Sequence, residues 1–170
     1  MSQLNVRELL RIKMKSVAIF VDVQNIYYTT RQAFGRQFNY RQFWQTISEQ
    51  HEIKLANAYA IQRSDDQQHK FQKALRHIGF DVKLKPFIQR SDGSAKGDWD
   101  VGITIDIMEA ASQVDEIILL SGDGDFDLLM THVAQKHAIS TCVYGVEQLT
   151  ANSLINVVAK FNAIDESYLL

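Results

Sequence analysis

The chain has 170 residues, 46% of them hydrophobic, with 18 basic and 20 acidic side chains and a formal charge of −2. That length suits one well-cored domain and is short for two, and the near balance of charge excludes a global positive field, so any polyanion partner must be held by a local patch. A single cysteine, Cys142, excludes an intrachain disulfide framework and a Cys-rich zinc site and suits a reducing cytosol.

Residues 1–15 read as a loosely amphipathic N-terminal extension, with Val6, Leu9 and Leu10 at helical spacings, ahead of a domain over 16–170. This start lacks the apolar core and cleavage site of a signal peptide. No later run approaches the roughly 18–20 apolar residues of a membrane span, so a soluble cytoplasmic protein is expected, with no membrane partner.

Strand and helix patterns then alternate. VAIFVD (17–22), IKLANAYAI (53–61), FDVKLKPFI (80–88), EIILLS (116–121) and ISTCVYG (139–145) read as strands, the last burying Cys142 as an inert thiol. Between and after them, NYRQFWQTISEQ, DDQQHKFQKALRHIG, DWDVGITIDIMEAA, DFDLLMTHVAQKH and VEQLTANSLINVVAK carry helical spacing. Phe71, Leu75 and Ile78 form one apolar stripe, and Phe126, Leu129, Met130 and Val133 another. Alternation of this kind predicts an α/β fold, a mostly parallel sheet with helices on both faces. Pro86 demotes part of the third strand to an edge or bulge, and QRSDGSAKGD (89–98) reads as a mobile loop.

In such sheets ligands gather outside the carboxyl ends of the strands, and the acids fall at that edge. Asp22 ends the first strand, and Asp123 and Asp125 follow the fourth. Asp100 tops the stripe Ile103, Thr104, Ile107 and Ala111, which faces the sheet. Each acid alone reads as a cap or turn residue. Four carboxylates converging from three segments, however, repel and raise one another's pKa unless a cation sits among them. A hard divalent ion, Mg2+ or Mn2+, is the expected cofactor, leaving positions open for a phosphate. Asp98 reads first as a helix N-cap, Asp106 as a second-rank candidate lower on its helix, and Asp127 as an acid meeting the dipole of the following helix.

Spacing dismisses several competitors. The run Asp123, Asp125, Asp127 opens like an EF-hand loop, but Leu128 stands where Gly is needed and Ala134 where a bidentate Glu is needed. DGSAKGD has no P-loop frame, the five histidines show no paired metal spacing, and SGDGD holds no nucleophile elbow.

IFVDVQNIYY, AKGDWDVGITIDIME and ILLSGDGDFDLLM resemble the three signature blocks of the NYN domain in its bacterial LabA-like branch, within the PIN-like nuclease group. The resemblance runs from about Ser16 to the end of LINVVAKF. It implies a Rossmann-like (PIN-like) three-layer fold and a divalent-metal-dependent ribonuclease site. Carried over, Asp22, Asp100, Asp123 and Asp125 match the acidic positions, Asn25 the nearby asparagine and Lys96 the lysine before the acidic helix. Asp127 departs from the pattern, being an extra acid where relatives are apolar or small.

The expected reaction is hydrolysis of RNA phosphodiester bonds, with Asp22 and Asp123 holding metal directly and Asp100 and Asp125 either joining them or orienting water. Lys96, Asn25, Arg90 and Ser121 are the expected substrate-binding positions. Single-stranded or flexible RNA is the expected partner, because a shallow acidic cleft needs a strand that bends to the metal; a homo-oligomer is compatible with everything in the chain. Arg63 and Lys85 join Arg90 and Lys96 near the edge, interleaved with Tyr27, Tyr28, Phe87 and Trp99, with packing put ahead of base stacking for Phe87 and Trp99. The rival from another class is a non-catalytic RNA- or protein-binding module that keeps the fold. A metal-dependent phosphatase or a Toprim-type nuclease is the rival enzyme, though Asp22 holds the place of Toprim's glutamate.

Overall fold

The computed structural model describes residues 5–63, 65–86, 88–89, 95–96 and 98–170, the side chains of 10–13, 88–89 and 95–96 excepted. After helix α1 (Val6–Lys13) the chain enters β1 (Lys15–Asp22), α2 (Val23–Phe34), α3 (Tyr40–Gln50), β2 (His51–Gln62), α4 (Asp66–Ile78) and β3 (Asp81–Pro86). A short antiparallel pair, β4 (Ile88–Gln89) and β5 (Ala95–Lys96), leads to α5 (Asp100–Ala110), β6 (Glu116–Leu120), α6 (Asp127–His137), β7 (Ser140–Gly145), α7 (Asn152–Val157) and β8 (Lys160–Ala163). The main sheet has six strands in the order β3-β2-β1-β6-β7-β8, and every pairing within it is parallel. It is the α/β three-layer arrangement expected.

Period-two alternation builds the two cores. On β1, Val17, Ile19 and Val21 join the cluster of Ile26, Phe43 and Leu75, from α2, α3 and α4. Ala18 and Phe20 join Ile103, Ile107, Met130, Val133 and Leu154, from α5, α6 and α7. On β6 the same alternation sends Ile118 and Leu120 one way and Ile117 and Leu119 the other. A strand buried on both faces therefore reads as an unbroken apolar run, which is why β1 and β6 are legible in the chain. Cys142 lies buried in β7, and burial above all, with the charge of Glu116, pushes its thiol up to about 12.

Two expectations are corrected. Residues 23–34 form α2, which the periodicity passed over because Ile26, Tyr27, Tyr28, Thr29 and Thr30 are β-branched or aromatic. Its ends carry the missing signal: Asp22 accepts a hydrogen bond from the Asn25 N–H, and Gly35 closes the helix with φ of 65°. The final segment read as one long helix is instead the six-residue α7 followed by the edge strand β8, paired from Cys142↔Lys160 to Gly145↔Ala163. β3 is the opposite edge and ends at Pro86, where a missing N–H costs no ladder bond.

Among the described residues no helix is long and apolar enough to cross a membrane. The connection after β1 packs on one face of the sheet and that after β6 on the other. The adjacent carboxyl ends of β1 and β6 thus form the topological switch point, where open α/β sheets leave a crevice.

Candidate metal centre at the sheet's switch point

Asp22 is the last residue of β1, continuing the alternation of Ala18 and Phe20 toward the α5 face. Beside it, β6 runs in parallel register to Val21↔Leu120, so Ser121 follows at the level of Asp22. Ser121 is fully buried, its hydroxyl donates to Asp22 Oδ2 at 3.1 Å and it accepts from the Asp123 N–H at 3.2 Å. Ser121, expected at the substrate, has its oxygen under the site, where it ties Asp22 to the loop that carries Asp123. Asn25 makes a second tie, its Oδ1 accepting from the Gly122 N–H at 2.9 Å while its own N–H donates to Asp22 Oδ1 at 3.3 Å.

Asp123 caps the single turn Gly124–Phe126, its Oδ1 accepting from the Asp125 N–H at 2.9 Å. Asp100 opens α5. Trp99, just before it, donates its ring N–H to the Ala60 carbonyl at 2.9 Å, packs edge-on to Tyr59 and lies 4.5 Å beneath the Lys85 ammonium. That anchor, with the ring seated against Gly102, fixes where α5 begins and so where Asp100 stands. Trp99 accordingly packs, and its positioning role was visible in the sequence only as part of the motif KGDWD.

Asp100, Asp123 and Asp125 each offer an oxygen within 4.8 Å of the others', the first two half-buried and the third exposed. In the octahedral shell of a small divalent ion, with ligands at about 2.1 Å, opposite oxygens are ~4.2 Å apart and neighbouring ones ~3.0 Å, so the three carboxylates would have to draw together to share one ion. The donor set is all carboxylate oxygen, which suits Mg2+ or Mn2+, and the exposed side leaves room for water or phosphate. Asp22 is outside this group and adjoins it electrostatically.

Burial, above all, raises Asp22 to about 6, with Asp123 and Asp98 adding to the rise against the hydrogen bonds from Asn25 and Ser121. Burial first, then the charges of Asp123, Asp98, Asp22 and Asp125, raises Asp100 to about 7. Because these folded values lie above the ordinary 3.8, the metal-free folded state binds more protons than the unfolded chain between about pH 4 and 7. The resulting stabilisation is complete below pH ~4 and is lost as pH rises through 6 and 7. In EDTA, melting temperature should fall from pH 5 to 8 by about 4–8 °C more than in an Asp22→Asn/Asp100→Asn variant. That corresponds to roughly 2 kcal/mol after discounting for the partial exposure of Asp100. Parallel profiles for the two proteins would show that the carboxylates do not crowd.

The remaining acids separate cleanly. Asp98 is exposed and accepts from the Asp100 N–H at 3.3 Å, serving the start of α5 from one residue outside the capping position, which Trp99 occupies. Asp106 faces away from the cluster, accepting from Tyr59 at 2.6 Å and from Lys83 at 2.7 Å. Although burial works to raise it, those bonds hold its carboxyl below the usual range. Asp127 is the first residue of α6, where a carboxylate meets the helix dipole. Lys85 donates to the Asp98 carbonyl at 3.3 Å. Arg90 and Phe87 lie outside the described residues; Lys96 is placed in β5 by its backbone, its side chain being outside the description.

A family model, the NYN domain, matches residues 16–165. Over 153 residues the chain is 32% identical to the low amplitude and bright protein LabA of Synechococcus elongatus, covering 85% of this chain and 81% of that protein. A crystal structure of a protein of unknown function from Vibrio parahaemolyticus, 51% identical, is similar with a TM-score of 0.88 over 92% of this chain and 97% of that one. On the family match and the curated relative together, this chain belongs to the NYN domain family.

Proposed function

We propose that the protein is a divalent-metal-dependent ribonuclease that hydrolyses phosphodiester bonds of single-stranded or flexible RNA at the carboxyl edge of its sheet. The observation that carries this reading is the trio Asp100, Asp123 and Asp125, brought within 4.8 Å of one another from two segments at the switch point. Acidic residues arranged that way repel polyanions on their own; with a cation among them they attract a phosphate. When bound, Mg2+ or Mn2+ supplies Lewis acidity toward the phosphoryl group and lowers the pKa of water beside it.

The chain's own residues divide the work. Asp100, Asp123 and Asp125 would hold the ion, and Asp125 is the exposed member of the three, on the side from which a phosphate would approach. Asp22 stands beside them, fixed through both oxygens by Ser121 and Asn25. Burial raises its pKa to about 6, and a cation held beside it would favour its ionised form. Exposed cations at the same edge balance the phosphates on either side of the cut.

The deciding experiment is cleavage of a labelled, unstructured RNA by the purified protein with Mn2+, with Mg2+ and with EDTA, beside an Asp22→Asn/Asp123→Asn control. Metal-dependent cutting that the control lacks is expected. A preparation that binds Mn2+ by thermal shift yet leaves the RNA whole would transfer the reading to a non-catalytic binding module.

A further inference from the structure

Asp22 is followed directly by Val23 and Gln24, and these two begin one wall of a cavity of about 510 Å3 on the α2 and α4 side of the sheet edge. Ala60 and Ile61, at the end of β2, form the adjoining wall, next to Tyr59, the register partner of Asp22. The cavity therefore opens beside the carboxylate site, on the far side of the β1 and β2 ends from α5. Its size lies within the ~300–1,000 Å3 typical of small-ligand sites.

Three features give it a chemistry. The floor is aromatic and apolar, made by Ile26, Tyr40 and Phe71. Tyr27 and Tyr28 stand at the rim, 41% and 53% exposed, their rings edge to face at 5.6 Å. Their part-exposed faces, side by side on α2 at the mouth of the cavity, offer ring surface on which a base could stack. Arg31 adds rigidity to Tyr27, donating to its hydroxyl at 2.5 Å. The wall also carries the amides of Gln24 and Gln68, each able to donate and accept, and the cations of Arg63 and Lys70. In a chain of net charge −2, these two cations give the cavity beside the carboxylates local positive charge that a polyanion would meet.

We propose that this cavity receives one unstacked base of the single-stranded RNA whose backbone crosses the carboxylate site. The inference rests on the ribonuclease reading and adds a specificity pocket to it. The base lies against the Tyr28 ring, Gln24 and Gln68 meet its hydrogen-bonding edge, and Arg63 and Lys70 face the flanking phosphates. Ring stacking accepts any base, whereas two side-chain amides favour one pattern of donors and acceptors, so the pocket imposes a base preference a fixed number of nucleotides from the cut.

The test measures fluorescence anisotropy of a 5′-fluorescein, unstructured 12-nucleotide RNA, and of a series of the same RNA carrying one abasic position at a time, in EDTA, with the Asp22→Asn/Asp123→Asn protein as the parent, in which cutting is absent and two of the repelling carboxylates are neutral. Tyr28→Ala should weaken binding roughly 5- to 100-fold, the range set by base–aromatic stacking, while Tyr28→Phe stays within about twofold of the parent. One abasic position should weaken binding to the parent by the same factor and leave the Tyr28→Ala complex unchanged. The exposed position of Tyr28 makes both variants compatible with folding, and circular dichroism confirms that. Parent-like binding by Tyr28→Ala, an abasic series that singles out no position, or no binding by the parent protein would each overturn the pocket. The two readings fail separately. Mn2+-dependent cutting with unaltered Tyr28→Ala binding removes the pocket alone, and Tyr28-dependent binding without cutting removes the nuclease.

Discussion

Asp123→Asn is expected to abolish cleavage, by about a thousandfold or more, while making the metal-free protein more stable. Asp123 and Asp98 both contribute to the raised values of Asp22 and Asp100, and Asp123 is the larger contributor in each case. Neutralising it relieves both, and at pH 7.5 in EDTA the melting temperature should rise by about 2–4 °C, on the order of 1 kcal/mol for a chain of this size. The substitution preserves the local backbone, because an asparagine Oδ1 accepts the Asp125 N–H as the aspartate does, and asparagine is among the best caps. What disappears is one of three charges on the cation. The parent protein at Mn2+ a hundredfold above its dissociation constant gains ~2.7 kcal/mol, or about 5–11 °C, and the variant should gain almost none of it. A variant that keeps the full Mn2+ shift would remove Asp123 from the metal centre, whatever its activity.

Gly122→Ala is expected to damage the same loop by a different route. A Cβ built at Gly122 falls 2.7 Å from the Leu149 carbonyl and 3.1 Å from the Thr150 Cα, both backbone atoms that cannot swing aside. On its other side Gly122 is tied through its N–H to Asn25, and its carbonyl accepts from the Ala151 N–H at 3.0 Å. The added methyl must push the loop outward, breaking these bonds and carrying Asp123 away from Asp100. We expect a loss of roughly 2–3 kcal/mol, or about 4–12 °C in melting temperature, with cleavage reduced a hundredfold or more even at temperatures where the protein is folded. Gly124→Ala serves as a milder comparison, since its Cβ would meet no backbone atom, only the Ala151 methyl at 2.9 Å, which can yield only with its backbone, and the rotatable Ser153 hydroxyl at 3.2 Å. Equal effects from the two would argue that the turn tolerates displacement and that the backbone contact at Gly122 is not the constraint.

The acids that form the cluster were legible because each stands where a strand ends or a helix begins, and parallel strands send all such places to one edge. How the edge is wired was not legible. Ser121 reads in the sequence as a polar residue after a strand, equally suited to substrate or structure; only the β1–β6 register shows it beneath Asp22. Asp106 lies six residues after Asp100, close enough to invite a shared role, yet Lys83 from β3 claims it, a contact across 23 residues that no local pattern records. The helix following Asp22 was hidden because its Thr29 and Thr30 hydroxyls turn back to backbone carbonyls one turn earlier, a use of threonine that propensity counts against a helix. β8 was hidden for the opposite reason: an edge strand of four residues, two half-covered and two exposed, has too little alternation to declare itself.

The bond from Ser121 to Asp22 spans 99 residues, and Asp123 lies beyond it. On a ribosome, Asp22 and Asp100 leave the exit tunnel well before the loop that completes their cluster, and that loop is held in place by β6, whose far neighbour β7 is made later still. A chain in which β6 has not yet paired with β1 therefore carries isolated aspartates, and the geometry of the site exists only once the sheet has closed across that separation.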